Sequence, residues 1–143
     1  MATTISKYNT ATKMIMGGID LDSATLKLAL VSSIYAFNAA HTTWAEVSAN
    51  EVADGYGYTT GGAVLGAPTL TEVAGVCTFD AEDVSFTTLT KTFRAGVVYA
   101  EGTFDTVVNP VLFYVLFDST PADLVISGIT FVVRWNASGI LAI

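Results

Sequence analysis

The residues of this chain that could do chemistry are few, and its only histidine begins one group of them. The stretch HTTWAEVSANEV begins at His41, and three carboxylates follow the histidine: Glu46, Glu51 and Asp54. Hydrolysis by a histidine base also needs a nucleophile and an orienting partner, but the chain has no Gly-x-Ser-x-Gly turn. One histidine and one cysteine supply too few ligands for a zinc site. We therefore predict that this stretch is scaffold and assign no catalytic or metal-binding residue.

A second acidic group, Asp80-Ala81-Glu82-Asp83, lies between two predicted strands. Clustered carboxylates can bind calcium, and a pair of them can hydrolyse a glycosidic bond. The segment lacks the spaced ligand pattern of an EF-hand loop. We predict a solvated turn that discourages strand pairing with other chains, with calcium binding as the alternative and catalysis as the least favoured one.

Two further features could carry chemistry, a glycine-rich segment and a lone cysteine. Residues 54–62, DGYGYTTGG, lack the lysine that follows the glycines of a phosphate-binding loop, so they predict turns with positive φ. Cys77 lies in a strand-like sequence without a cationic neighbour to activate it. It is predicted to be a small buried hydrophobe, with a reactive thiol as the alternative.

The composition is poor in charge and rich in apolar residues. Charged residues make up 13% of the chain and hydrophobic ones 52%, whereas an ordinary soluble domain carries about 25% charged residues. The longest apolar run, VLFYVLF at 111–117, is far shorter than the roughly 20 residues that cross a bilayer, so no membrane span is expected. Excess apolar surface of this kind predicts association with other protein subunits.

The charge pattern argues against a nucleic-acid partner. The formal net charge is −7, and the six basic residues are scattered along the chain: Lys7, Lys13, Lys27, Lys91, Arg94 and Arg134. Binding to phosphates normally requires a basic stripe or cluster.

Hydrophobic periodicity predicts one mainly β domain over residues 1–143. Apolar spacing predicts a short N-terminal helix at about 5–16, ended by Gly17-Gly18. A β-sandwich is predicted over about 25–143, with a hairpin at Ala74-Gly75 and separate strands that include 84–87, 91–99, 124–126 and 130–135. A capping box from Thr43 to Glu46 predicts a short helical turn near 43–48. The expected fold is an antiparallel β-sandwich or jelly roll.

Several segments taken together resemble a family of small virion proteins of tailed bacteriophages. The resemblance covers nearly the whole chain and rests on residues 6–9, 20–31, 42–52, 57–62, 78–84, 93–94 and 135–141. Within that family the chain looks most like the jelly-roll cement or decoration proteins of capsids. The resemblance implies a non-enzymatic protein without a cofactor, placed on the outer capsid surface of the virion. Its implied partners are the major capsid protein and copies of itself, as a dimer or trimer.

Partner contacts are expected at exposed sheet edges and at five residues: Tyr8, Ile15, Met16, Tyr56 and Tyr58. Each of these five side chains could instead pack within the chain's own fold. Two other functions stay open at this point, a tail or fibre-associated structural protein and a carbohydrate-binding module. The second would use Trp44, Tyr56 and Tyr58 as a platform on which sugars stack.

Overall fold

A computed structural model describes residues 3–142 of the chain. Within these residues the chain forms one α-helix, two 3-10 turns (Trp44–Glu46 and Ser48–Asn50) and twelve antiparallel strands. The helix is α1 (Asn9–Gly17), and the strands are β1 (Thr4–Lys7), β2 (Leu26–Val31), β3 (Ala63–Val64), β4 (Thr69–Val73), β5 (Val76–Asp80), β6 (Val84–Phe93), β7 (Ala95–Ala100), β8 (Thr103–Phe104), β9 (Val107–Val108), β10 (Val111–Leu116), β11 (Leu124–Val133) and β12 (Leu141–Ala142). The predicted mainly β, antiparallel sandwich is confirmed.

A five-stranded sheet with the order β1-β10-β7-β2-β3 forms the centre of the molecule. All six residues of β7 are buried, as are five of the six in β2 and in β10. These strands are apolar at consecutive positions, AGVVYA in β7 and VLFYVL in β10, because both of their faces are covered.

Different layers cover the two faces of the central sheet. One face packs against α1, the two-stranded β6–β11 ribbon and the three-stranded sheet β12-β5-β4, in a core that includes Leu28, Leu89 and Phe113. The other face is covered by the segment 32–52, whose Trp44 and Val47 pack in a second cluster. The β4–β5 hairpin turns at Ala74-Gly75, as predicted.

The predicted N-terminal helix over 5–16 is wrong at its start. Residues 4–7 form β1, which pairs with β10, and the helix begins only at Asn9. The backbone of Ile5 pairs with that of Val115 at the edge of β10, and this pairing takes the place of a first helical turn. The buried helical positions are Ala11 and Met14, and the helix ends at Gly17.

The predicted turn near 43–48 is present as the two consecutive 3-10 turns. The Glu46 carboxylate accepts hydrogen bonds from the N–H groups of Thr42 (3.0 Å) and Thr43 (3.1 Å). This reach back to the start of the turn is the glutamate contact expected of a capping box. It lowers the pKa of Glu46, because the charged carboxylate is the form that accepts these bonds.

Candidate functional site

The structure corrects the prediction that Tyr8 contacts a partner. Tyr8 is 0% exposed, and its hydroxyl lies 2.8 Å from the hydroxyl of Tyr35, which lies 3.0 Å from Nδ1 of His41. Burial raises the pKa of Tyr8, so the neutral phenol is the form that the core holds. His41 ends this chain of hydrogen bonds and stacks against Tyr35, a scaffold position.

Tyr58 is corrected in the same way, because it is a core residue and not a surface contact. It is 2% exposed, its hydroxyl donates to Glu51 Oε2 at 2.5 Å, and it accepts from the Leu30 N–H at 3.1 Å. Burial, together with the hydrogen bond to Glu51, raises the pKa of Tyr58. The same carboxylate oxygen accepts from the Gly61 N–H at 2.7 Å. Glu51 therefore holds the glycine-rich segment against β2.

The glycine-rich segment is built for close backbone approach. Gly57 and Gly62 both have φ of +87°, and a Cβ at Gly62 would lie 2.1 Å from the Leu28 carbonyl oxygen. A Cβ at Gly57 would lie 2.6 Å from the Thr88 carbonyl oxygen. Both glycines bring the segment against neighbouring strands, which supports the prediction of turns with positive φ.

The acidic turn at 80–83 anchors the segment that follows β11. Asp83 Oδ1 accepts from the Trp135 N–H at 3.1 Å, and the Glu82 carbonyl accepts from the Trp135 indole N–H at 3.0 Å. Asp80 Oδ1 accepts from the Ala81 N–H at 2.9 Å. Within residues 3–142, no three His, Cys, Asp or Glu side chains converge as metal ligands would.

The aromatic platform proposed for sugars is not assembled. Trp44 is 8% exposed and stacks on Tyr99, with ring centroids 4.7 Å apart and an interplanar angle of 5°. Tyr58 is buried, so only Tyr56 of the three predicted residues is exposed, with Lys91 Nζ 5.5 Å from its ring centroid. A single exposed ring does not make the expected platform.

Ile15 lines an apolar cleft between α1 and the small β12-β5-β4 sheet. The cleft has a volume of about 110 Å³, and the residues around it are Ile15, Ile19, Asp20, Leu21, Leu70, Cys77, Phe79 and Leu141. Ile15 is half-buried, and Met16, the next residue, is 79% exposed. Cys77 is half-buried in the cleft wall rather than fully buried as predicted. We call Ile15, Leu70 and Cys77, which line the cleft, together with the exposed Met16 that follows Ile15 in the chain, the cleft surface.

The β4–β5 hairpin carries exposed apolar residues at its end. Every residue of β4 is exposed, and β4 has no strand neighbour other than β5 within residues 3–142. Val73 and Val76 are cross-strand partners next to the turn, and both side chains are exposed. We call these two residues the hairpin tip.

A third apolar region lies where β1 and β11 end their respective sheets. In the described chain β1 pairs only with β10, and β11 pairs only with β6. Between them lies a crevice of about 210 Å³, whose lining includes Ile5, Val115 and Val133. We call these two strand edges and the crevice the open side of the sandwich.

The charged side chains reinforce the fold at two places. Lys27 Nζ lies 2.6 Å from Glu101 Oε2, and Arg94 Nε lies 2.9 Å from Asp123 Oδ1. Two of the six basic residues are thus engaged by carboxylates. Within residues 3–142, no helix is long and apolar enough to span a bilayer.

Comparison with known proteins found no match to this chain among protein-family models, curated protein sequences or solved structures. The function is therefore proposed from the surfaces that the fold presents, together with the resemblance described in the sequence analysis.

Proposed function

We propose that this chain is a non-enzymatic structural protein of a tailed-phage virion, a cement protein that binds across neighbouring major capsid subunits from outside. The observation that carries the proposal is the exposed apolar surface of a chain with few charges. The large hydrophobic residues exposed within residues 3–142 are Ile5, Met16, Ile34, Tyr56, Val64, Leu70, Val73, Val76, Val108, Val125 and Ile129. Apolar surface that gathers into patches marks sites of protein association.

The cleft surface and the hairpin tip are the proposed contact with the capsid. A partner's aliphatic side chain would enter the cleft beside Ile15 and Leu70, with Met16 covered next to it. Val73 and Val76 point to the opposite face of the β4–β5 hairpin from Leu70 and Cys77, so they would make a separate apolar contact. Burial of the exposed parts of these side chains removes apolar surface from water, which favours association. The unpaired edge of β4 offers backbone groups for strand addition by the partner.

The mechanism proposed is mechanical. Contacts of one protein with two capsid subunits act together, because the second contact forms at high effective concentration once the first is made. The net charge of −7 suits a position outside the shell, away from packaged DNA. Bridging raises the force or the temperature at which the subunits separate.

The experiment is binding of the purified protein to empty capsids that lack it. Cys77 is the only cysteine, so its labelling by a maleimide reports directly whether the cleft is covered. We expect saturable capture by the shell, a higher capsid melting temperature and slower labelling of Cys77. We expect Met16→Lys and Val73→Lys to weaken capture at least tenfold, because each places a charge in an apolar contact.

The matched control is Val108→Lys, the same type of change at an exposed position on the β8–β9 hairpin. It should leave capture unchanged. The proposal would be contradicted if the protein did not bind the shell, or if all three variants lost the same amount of capture. A copy number per virion that matches a tail ring instead of the shell would assign the protein to the tail.

A further inference from the structure

β11 is a long strand with one open edge. It spans ten residues, and its only hydrogen-bonded strand neighbour within residues 3–142 is β6. The outer edge of β6 differs, because the glycine-rich segment covers part of it: the Thr90 N–H donates to the Tyr56 carbonyl at 2.9 Å. The N–H and C=O groups of β11 that point away from β6 are a template for another strand.

The open edge of β11 carries no charged residue. Its sequence is LVISGITFVV, with Val125 74% exposed and Ile129 59% exposed. The edge strands β1 and β4, by contrast, carry Lys7 and Glu72. Proteins usually protect an exposed edge with charges or proline. An unprotected edge with exposed aliphatic residues is suited to a permanent neighbour.

The side chains of β11 follow the same facing pattern when the strand is read from either end. Leu124 and Ile126 pack toward the core before the bulge around Gly128, and Phe131 and Val133 do so after it. The bulge shifts the alternation by one residue, so the pattern is symmetric about the Gly128–Ile129 bond. Two such strands can pair antiparallel with every inward side chain opposite another inward one.

The charges that flank β11 obey the same symmetry. Asp123 precedes the strand and Arg134 follows it. An antiparallel pair centred on the Gly128–Ile129 bond places Asp123 of each copy opposite Arg134 of the other. Asp123 already accepts from Arg94, but its carboxylate has lone pairs for a second donor. Arg134 is exposed and makes no ion pair within residues 3–142.

We infer that two copies of this chain associate through the open edges of β11, antiparallel and in the register that sets Asp123 opposite Arg134. Two short ladders, residues 124–127 against 130–133, flank the central bulges and join the ribbons into a four-stranded sheet. Val125 of each copy is covered opposite Val132 of the other. The contact uses the same patch on both copies, so it closes as a two-fold dimer.

The test is the mass of the chain in solution as a function of concentration, with charge reversals at the ends of β11. We expect the wild-type chain to dimerise and Arg134→Asp to weaken the dimer at least tenfold, because it sets two carboxylates against each other at each end. Asp123→Lys should weaken it similarly by opposing two cations. Lys13→Asp, an equal charge change on the exposed face of α1, should have no effect.

Mixing the two weakened variants tests the register itself. A mixed dimer of Arg134→Asp with Asp123→Lys pairs opposite charges at both ends, so we expect association to recover toward the wild-type level. Circular dichroism confirms that each variant is folded before mixing. A wild-type chain that stays monomeric, or variants that dimerise as well as wild type, would overturn the inference, as would a mixture that fails to recover.

The proposed dimer and the proposed capsid role can each be contradicted without the other. None of the cleft-surface or hairpin-tip residues lies on β11. A monomer that still binds shells would remove only the dimer, and a dimer that ignores shells would remove only the capsid contact.

Discussion

Gly62 is the glycine of the described residues whose added Cβ would lie closest to another atom. Its Cα lies so close to β2 that an added Cβ would meet the Leu28 carbonyl oxygen and carbon at 2.1 and 2.6 Å. The contacting atoms are backbone atoms of a central, fully buried residue, so they have no room to move. The side-chain groups nearby, Glu51 and Tyr58, serve to hold this approach.

We expect Gly62→Ala to destabilise the protein more than Gly55→Ala does, by about 1–3 kcal/mol. Both glycines have positive φ, +87° and +97°, so the backbone strain of an alanine is similar at the two sites. A Cβ at Gly55 would have no atom within 4 Å, whereas a Cβ at Gly62 would meet backbone. Urea denaturation of the two variants measures the difference. Equal losses would show that strain, not contact, dominates.

Glu46 is expected to make stability depend on acid pH. Hydrogen bonds from Thr42 and Thr43 lower the pKa of its carboxyl in the folded chain, so the folded state binds the proton less tightly than the unfolded state. The stabilisation is therefore present above the ordinary carboxyl pKa and is lost as the pH falls through the folded pKa. Glu46→Gln keeps an oxygen acceptor without the charge.

The Gln variant should cost at most about 1 kcal/mol at pH 7. Its free energy of unfolding should also fall less steeply than that of wild type between about pH 5 and pH 3. Denaturation at both ends of this range measures the two slopes. Glu46→Ala loses the acceptor as well, so its free energy of unfolding at neutral pH should be lower than that of the Gln variant. Identical acid slopes in wild type and Glu46→Gln would contradict this role.

At the scale of elements, the segment 32–52 acts as a covering layer although it contains only short 3-10 turns. Trp44 and Val47 pack on the face of the central sheet that the β6–β11 ribbon leaves uncovered. The backbone N–H of Trp44 donates to the backbone carbonyl of Asn109 at 2.8 Å, and this bond connects the segment to the start of β10. The layer depends on few anchors, and Trp44 is the largest of them.

We expect Trp44→Ala to cost about 3–5 kcal/mol, the range for removing a buried aromatic side chain. Amide hydrogen exchange in β7 should speed up, because Tyr99 loses its stacking partner. Trp135→Ala, at the half-buried second tryptophan, should cost less and leave exchange in β7 unchanged. Unchanged β7 protection in Trp44→Ala would show that the segment is not needed to cover the sheet.

At the scale of the whole molecule, the two hydrophobic clusters share the same strands. Leu28 and Leu30 of β2 face one cluster, and Ala29 and Val31 of the same strand face the other. If β2 left the sheet, residues of both clusters would become exposed. This arrangement favours one cooperative unit over two separately stable parts.

We expect a single unfolding transition. Tryptophan fluorescence, which is sensitive to the covering segment through Trp44, and far-ultraviolet circular dichroism, which reports the sheets, should give the same denaturant midpoint. Separate midpoints would indicate that the segment 32–52 leaves the sheet before the sandwich unfolds. The experiment is best done on dilute protein, so that association does not shift the midpoints.

Local patterns in the sequence were enough to predict the class of fold and several of its turns. Alternation of apolar residues indicates strands because successive side chains point to opposite faces, and the hairpin at Ala74-Gly75 and the Thr43–Glu46 turn depend on neighbouring residues only. The predicted division into strands 84–87 and 91–99 is wrong: β6 runs through to Phe93, and β7 starts at Ala95. The break at Arg94 separates two different sheets, which local periodicity cannot show.

Which residues face a partner depends instead on how the whole chain packs. Tyr8 and Tyr58 have the same residue type as Tyr56, but the first two are buried under distant segments and the third is exposed. Likewise, residues 4–7 form a strand because β10 has an open edge, and β11 keeps an open edge because no other strand of the described chain pairs with it. Burial and strand pairing depend on contacts between residues far apart in the chain, and these contacts leave no local pattern.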